Sequence, residues 1–409
     1  MANTIATSSW TTKEVARYFL NEITFVKNLN RSYDSQYKVA GARVGNTVNA
    51  RLPQRFTATD GQAMQLQNIF DETVPITLTN QKNVACGYSS AQATTELDNV
   101  RSRIVQPAAE TLANAADVLA WEDVYKDVYN SIGTPGTTPS TTLAYLQAGV
   151  KLTDLATPQS GRVATLDPLA MATIANTSST LFNPSATISE NYKKGQFGRN
   201  QLGISEWFQD SNAPAFLTGV FTAATPLVNG ASQTGATLIT NGWASGATNL
   251  NKGDIFTIAG VFSVNPLSRQ STGRLQQFVI TADISDTTGD ATLAISPPII
   301  TSGALQTVSN SPANLAVILV WSATSGGALA ATTAKTGMIF HKDFAAFVMA
   351  DLQKPGAGAT STTVRSKQWG ISIRMVEQYQ IATDQNPSRL DVLVGAATVQ
   401  ARMACRVTG

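Results

Sequence analysis

Two short stretches of alternating residues, set on either side of a long polar connection, constrain this chain more than any other feature. Across residues 45–56, Val48, Ala50 and Leu52 alternate with Asn49 and Arg51, the period-two pattern of a half-buried strand. Pro53 follows, and a proline cannot donate to a ladder, so it favours an edge or an end. Across residues 74–88, Val74, Ile76 and Leu78 alternate, Asn80 to Asn83 read as a turn, and Val84 to Tyr88 return. Between the two, Thr57 to Gln67 is polar, with Asp60-Gly61 as its turn signal. The pattern predicts an extended hairpin. A two-stranded hairpin is marginal in water by itself, so a long one requires a surface to lie on.

The strongest helical signal comes next. Leu97, Val100, Ile104, Ala108, Leu112, Ala115, Leu119, Val124 and Val128 recur at intervals of three to five, with Thr95 and Asp98 as the cap. About 35 residues would make a helix roughly 50 Å long. Pro107 lies within it, and an interior proline costs about 3 kcal/mol, so a kink or a new start is expected there.

Residues 140–217 read as mixed. A helix is expected around Leu143 to Leu155, a strand at Arg162 to Leu166, a helix opened by Asp167-Pro168, and a loop at Gly195 to Gly203. From about Thr218 to Gly337 the composition turns to Gly, Ser, Thr and Asn. Short β-type runs at Asp254 to Phe262, Leu275 to Ala282 and Thr292 to Ile300 alternate there with turn clusters, as in a small barrel or sandwich. Phe344, Phe347, Val348 and Leu352 then predict an amphipathic helix from His341 to Leu352, stopped before Pro355. Ile371, Ile373 and Met375 alternate as a strand. An all-β block inside a mixed region reads as an inserted domain.

Composition narrows the function. Only 14% of the 409 residues are charged, 29 basic against 27 acidic, for a net +2; about 25% is usual. Such a chain exposes a bland surface or hides much of it against partners. The charge is also uneven. Residues 1–55 hold eight basic residues (Lys13, Arg17, Lys27, Arg31, Lys38, Arg43, Arg51, Arg55) and three acidic ones, so 8 − 3 = +5, leaving 2 − 5 = −3 for the rest. This basic arm touches phosphate or an acidic neighbour, or else is a solvated helix followed by a loop.

Little chemistry is on offer. One histidine, His341, and two cysteines, Cys86 and Cys405, exclude a multi-histidine or zinc-type site within one subunit and a disulfide framework; both cysteines read as free, partly buried thiols. A serine–histidine–acid arrangement would need His341, whose place at the start of a predicted helix suits a cap or surface role. No Gly-x-Ser-x-Gly elbow occurs, Gly356-Ala357-Gly358 lacks the lysine of a phosphate loop, and Asp283, Asp286 and Asp290 around Gly289 do not have calcium-loop spacing. Paired carboxylates stay open, since they need no proximity in sequence. No catalytic residue, metal ligand or cofactor is expected. Met1 to Trp10 has no signal-peptide pattern, and the longest apolar run, Leu315 to Trp321, is far short of the roughly 20 residues that span a bilayer.

The order of parts and several words within it resemble tailed-phage major capsid proteins. Gly45-Asn46-Thr47-Val48-Asn49-Ala50-Arg51-Leu52-Pro53 with Arg55-Phe56 is similar to the start of the extended loop in the coat-protein family of short-tailed Salmonella-type phages. Val74-Pro75-Ile76-Thr77-Leu78 resembles its return strand, and Pro107-Ala108-Ala109 with Leu112-Ala113-Asn114 its spine helix. Lys252-Gly253-Asp254 through Ala259-Gly260-Val261 and Asn265-Pro266 is similar to its inserted β-barrel. Phe340 to Ala345 and Arg389 to Gly395 resemble the segments that follow.

The resemblance implies an α+β Hong Kong 97-type capsid fold with an inserted telokin-like β-barrel domain. Under it, residues 1–44 are an N-terminal arm, 45–92 the extended loop (a β-hairpin), and 93–139 the P-domain with the spine helix. Residues 140–217 are then the first part of the A-domain, 218–337 the inserted barrel, and 338–409 the A-domain and P-domain return segments. It implies a non-enzymatic coat protein that assembles as pentamers and hexamers, usually on a T=7 lattice around double-stranded DNA. Implied partners are other copies of itself, a scaffolding protein, a portal protein at one vertex, a decoration protein, and packaged DNA in loose non-specific contact, with no membrane. The implied location is the virion, after assembly in the bacterial host cytoplasm. Candidate assembly contacts are Arg51, Pro53, Arg55 and Phe56 in the loop, and Lys13 and Arg17 in the arm. The Hong Kong 97 lysine–asparagine cross-link has no motif here to carry it over.

A second reading is a phage-borne carbohydrate-binding or carbohydrate-cleaving protein. Trp121, Trp207, Trp243 and Trp321 fall near loops or helix ends, where they serve as sugar platforms or pack in cores and interfaces.

Overall fold

The alternation in residues 45–56 and 74–88 does produce strands, and the first two pair across the long connection as a hairpin, but the last run leaves it for another sheet. The computed structural model describes residues 23–32, 45–58, 61–62, 64–69, 71–89, 106–178, 202–222, 224–246, 248–286, 289–321, 328–356, 359–365 and 372–409. Within it Thr47–Arg51 and Thr73–Thr77 pair as a two-stranded sheet, with Val48, Ala50 and Ile76 buried on its inner face. The expected turn at Asn80 to Asn83 is absent. Those residues open a ten-residue strand, Asn80–Ser89, which runs antiparallel to Gln385–Thr398 from Asn80↔Val394 to Ser89↔Gln385. A long partner strand outweighs the local turn preference of two asparagines. The helix expected from residue 97 is described over Gln106–Val124 (α1), with Pro107 in its first turn, where a missing N–H costs least; Thr95 to Ile104 lie outside the described residues.

By contact the chain divides into two units: Met1–Ala50, Thr73–Asp123 and Ala345–Ala397 form one, and Arg51–Glu72, Val124–Phe344 and Thr398–Gly409 the other. In the first, α1 buries Trp121 against Phe25, rings stacked at 3.8 Å. The buried Asp117 carboxylate accepts the Val26 N–H at 3.0 Å. A five-stranded sheet runs Ala345–Ala350, Gln385–Thr398, Ser372–Glu377, Thr360–Arg365, with Asn80–Ser89 also on Gln385–Thr398. At its centre the fully buried Asp391 holds Arg374 and Arg389, one guanidinium on each oxygen at 2.5 Å.

The helix predicted from His341 to Leu352 is wrong. Lys342–Phe344 is a single 3-10 turn, and Ala345–Ala350 is a strand buried at every position. A strand covered on both faces shows neither period, so Phe344, Phe347 and Val348 matched the helical spacing by accident. His341 still caps that short turn, its Nδ1 accepting the Asp343 N–H at 3.4 Å, but it does so from a buried position and not from the surface. It ends the strand Thr333–His341 as a buried side chain, its Nδ1 3.5 Å from the Asp343 carboxylate, and burial lowers its pKa.

Among its described residues the second unit holds two large cores and a small cluster of Tyr129, Leu155, Ile255 and Val279. One large core lies between a mixed sheet and two helices, Thr142–Asp154 (α2) and Pro168–Ser178 (α3). The sheet order is Ser131–Gly133, Ala404–Thr408, Thr333–His341, Arg162–Leu166, Glu206–Gln209. Tyr145, Leu152, Leu166, Ile174, Trp207 and Ile339 fill it. The other core belongs to the β-rich segment. A six-stranded antiparallel sheet (Ile318–Val320, Ile255–Val264, Ser271–Ile280, Ala291–Ile299, Gly235–Asn241, Leu227–Val228) and a three-stranded one (Ile284–Asp286, Thr248–Leu250, Val220–Phe221) share it. Phe256 and Phe278 stack at its centre, 5.6 Å apart.

The β-rich segment enters and leaves at one point. Thr218 N–H donates to the Thr332 carbonyl at 3.0 Å, and Thr332 N–H returns to the Thr218 hydroxyl at 2.9 Å. Beside this neck Asp254 is buried, its carboxylate accepting N–H groups from Gly219 (3.0 Å) and Asn251 (2.8 Å). A Cβ on Gly219 would sit 2.5 Å from that carboxylate and from the Asn249 carbonyl, so the close approach requires glycine. Buried Arg406 donates to the Gly253 carbonyl at 2.7 Å. Burial raises Asp254 to about 6 and lowers Arg406 to about 10, while the two charges partly offset both shifts.

Candidate assembly surface

Between the paired strands the chain makes an excursion, Arg51–Glu72, that forms no strand after Arg51 among its described residues. One backbone bond at its base and two side chains hold it. Leu52 N–H donates to the Glu72 carbonyl at 2.9 Å, and Gln54 reaches the Asp71 carboxylate at 2.9 Å. The Gln67 amide pairs with both backbone groups of Thr57, accepting its N–H at 2.9 Å and donating to its carbonyl. The ends are therefore pinned, but the loop buries no core of its own. Phe56 is 56% exposed, Met64 83%, Leu66 87% and Ile69 69%. Burying each of these would gain about 1.5–3 kcal/mol, which an isolated subunit forgoes.

The candidate contacts sit at the base of this loop. Arg51 and Pro53 are exposed, Arg55 is half-buried, and the Phe56 carbonyl accepts a 3.5 Å contact from Arg269. Lys13 and Arg17 lie outside the described residues. Met64, Leu66 and Ile69 were missed in the sequence because they stand singly among polar residues; single apolar residues in a polar loop were the available signal. A second apolar face was also missed. Leu143, Leu146 and Val150 lie exposed along α2, opposite the buried Tyr145, Ala148 and Leu152, and residues 142–150 contain no charge.

Under the loop base, within the same unit, is a cavity of about 430 Å³. Leu52, Pro53, Arg55 and Glu72 form one wall, Tyr129, Leu155 and Arg402 another, and turns of the β-rich segment the third. Burial raises the Tyr129 hydroxyl to about 12, opposed by the nearby charges of Arg402 and Arg55. The four candidate tryptophans do not form a platform: Trp121, Trp207 and Trp243 are buried in cores, the last against Phe221, and Trp321 is half-buried against the cluster of Tyr129, Leu155, Ile255 and Val279. Cys86 is half-buried and Cys405 buried, both free.

Residues 2–409 match the family described as P22 coat protein, gene protein 5. The chain belongs to the P22 coat protein family and is a major capsid protein, a structural subunit of a bacteriophage shell made of its own copies. The carbohydrate reading has no support from this match. No curated protein matches the sequence. Among solved structures, one described as Mycobacterium phage Che8 is 14% identical at a TM-score of 0.45, over 94% of this chain and 90% of that one. The mature capsid of bacteriophage PhiM1 is 10% identical at 0.43, over 92% and 86%. The CUS-3 coat protein I-domain is 23% identical at 0.19, over 25% of this chain and 97% of that one.

Proposed function

We propose that copies of this chain close an icosahedral shell of pentamers and hexamers around double-stranded DNA, using the Arg51–Glu72 loop as a principal contact. The observation that carries this reading is the row of exposed apolar side chains from Phe56 to Ile69 on a loop with no core of its own. Arg51, Pro53, Arg55 and Phe56 then frame that contact, and the arm with Lys13 and Arg17 supplies another. The fold is read as Hong Kong 97-type, with residues 218–337 as an inserted telokin-like barrel; the single neck at Thr218 and Thr332 supports an insertion. A scaffolding protein during assembly, a portal at one vertex, a decoration protein, loose contact with packaged DNA, and assembly in the host cytoplasm complete the reading. A T=7 lattice belongs to it as well.

Low charge suits the role. Identical subunits with a large net charge would repel one another, and charged side chains are costly at desolvated interfaces. Each stable contact needs roughly 1,200–2,000 Å², and every copy makes several. The test is electron microscopy and sedimentation of the chain co-expressed with its scaffold. Closed isometric particles are expected, and deletion of residues 1–40 should reduce their yield more than it reduces the folded fraction. Persistent monomers at high concentration under assembly conditions would refute the reading.

A further inference from the structure

The cavity beneath the loop base gathers donors that the subunit uses only in part. Arg55 lines it, and its guanidinium has no hydrogen bond or ion pair among the described residues. Tyr129 lines it as well, and its hydroxyl has no hydrogen bond among the described residues. Arg402 is the third member. It spends Nη1 on the Leu155 carbonyl at 2.8 Å and Nη2 on Gln400 at 3.0 Å, while its Nε is buried without a partner. These three feel one another's fields: Arg55 and Arg402 both act on Tyr129, and Arg55 acts on Arg402. Arg269 adds to the same field through Arg55, with its own Nε and Nη1 buried and unpartnered.

The acids nearby do not neutralise the group. Asp127 lines the cavity but is paired to Lys252 at 3.1 Å. Glu72 also lines it, exposed, with no side-chain hydrogen bond or ion pair to either arginine. The rest of the lining mixes apolar residues, among them Leu52, Leu155, Val264 and Ile300, with uncharged polar ones such as Gln276, Thr281 and Thr307. Guanidinium and hydroxyl donors in such surroundings form their strongest bonds to an ionised oxygen. The volume falls within the range of small-molecule sites, about 300–1,000 Å³.

We propose that this cavity is an oxyanion site, in which Arg55, Tyr129 and Arg402 together hold a carboxylate or phosphate group. Bound there, the anion would tie the base of the Arg51–Glu72 loop to the body of its unit. Without it, Arg55 is repelled by Arg402 and Arg269, and the loop base is held less firmly. The group has two sources, a free anion or the carboxylate of a second copy's side chain. The second source rests on the shell reading above; the first does not.

The test compares inorganic phosphate with chloride at equal ionic strength, reading the melting temperature of the unassembled full-length subunit. A ligand that binds only the folded state raises that temperature. A phosphate-specific increase in the wild type, lost in both Arg55→Gln and Tyr129→Phe, identifies a free anion. Neither variant removes a hydrogen bond of the folded subunit, so both are expected to fold, and their melting temperatures in chloride check it. The same variants are then assembled. No phosphate response in the subunit, with both variants lowering the melting temperature of shells, assigns the site to a second copy's carboxylate. Tyr129 is buried inside its own unit, so only a group entering the cavity can make shells depend on its hydroxyl. A phosphate response that survives in both variants overturns the proposal, as does no response in subunits together with unchanged shells. Failure of the wild type to assemble leaves the subunit measurement intact.

Discussion

The β-rich segment between Thr218 and Thr332 and the loop Arg51–Glu72 handle apolar side chains in opposite ways. The segment turns Phe256, Phe278, Trp243 and Leu293 inward onto a core it completes by itself. The loop turns Met64, Leu66 and Ile69 outward and completes nothing. Both belong to one chain and one compact unit, so the difference reflects what each region is for. Stability resides in the first, and under the proposed reading association falls to the second.

The comparison can be broken most forcefully in the segment. Phe278→Ala removes a fully buried ring stacked on Phe256 and should cost about 3–5 kcal/mol of subunit stability. Denaturant unfolding measures it, and a loss below about 1 kcal/mol would mean that the core is not the seat of stability. The isolated fragment 218–337 should also give a native-like β spectrum with a cooperative melt, whereas an unfolded spectrum would end the claim of self-sufficiency.

A smaller effect concerns the neck. Asp254 titrates at about 6 in the folded chain, against 3.8 for an ordinary aspartate, because burial disfavours its charge. A carboxyl whose folded pKa is raised contributes stability in full below its unfolded value and loses it as pH rises through the folded one. At 1.36 kcal/mol per unit, about 1 kcal/mol should disappear between pH 5 and pH 7. Unfolding midpoints across that range should fall for the wild type and fall less for Asp254→Asn; equal slopes would show that Asp254 is not titrating there.

The smallest effect on the subunit is expected in the loop. Leu66→Ser combined with Ile69→Ser should leave folding stability within about 0.5 kcal/mol, as exposed substitutions do, while lowering the yield of sedimenting particles. A destabilised subunit, or normal particle yield, would remove the distinction between the two regions.

How much of this could be read in advance depended on whether a residue's neighbours in space are also its neighbours in sequence. Arg162–Leu166 and α2 were legible because Asp167-Pro168 punctuates the first and a 3.6-residue stripe of Tyr145, Ala148 and Leu152 marks the second. Ala345–Ala350 was not, because burial on both faces erases the period that separates strand from helix. The strand Asn80–Ser89 was broken too early because its partner, Gln385–Thr398, lies near the other end of the chain. The loop's place was legible from its flanking alternation, and its apolar residues were not, because they follow no period. The meeting of Arg55, Tyr129 and Arg402 left no trace at all: three residues from three distant stretches share a cavity only once the fold exists.

The neck at Thr218 and Thr332 also bears on the order in which the chain can fold. The central strand Thr333–His341 must join Arg162–Leu166 across everything synthesised between them. Closing a flexible loop between Thr218 and Thr332, 114 positions apart, would cost about 4 kcal/mol in chain entropy. When the β-rich segment collapses first, its two ends arrive together, and the late strand meets the sheet as if it had been connected by a short turn.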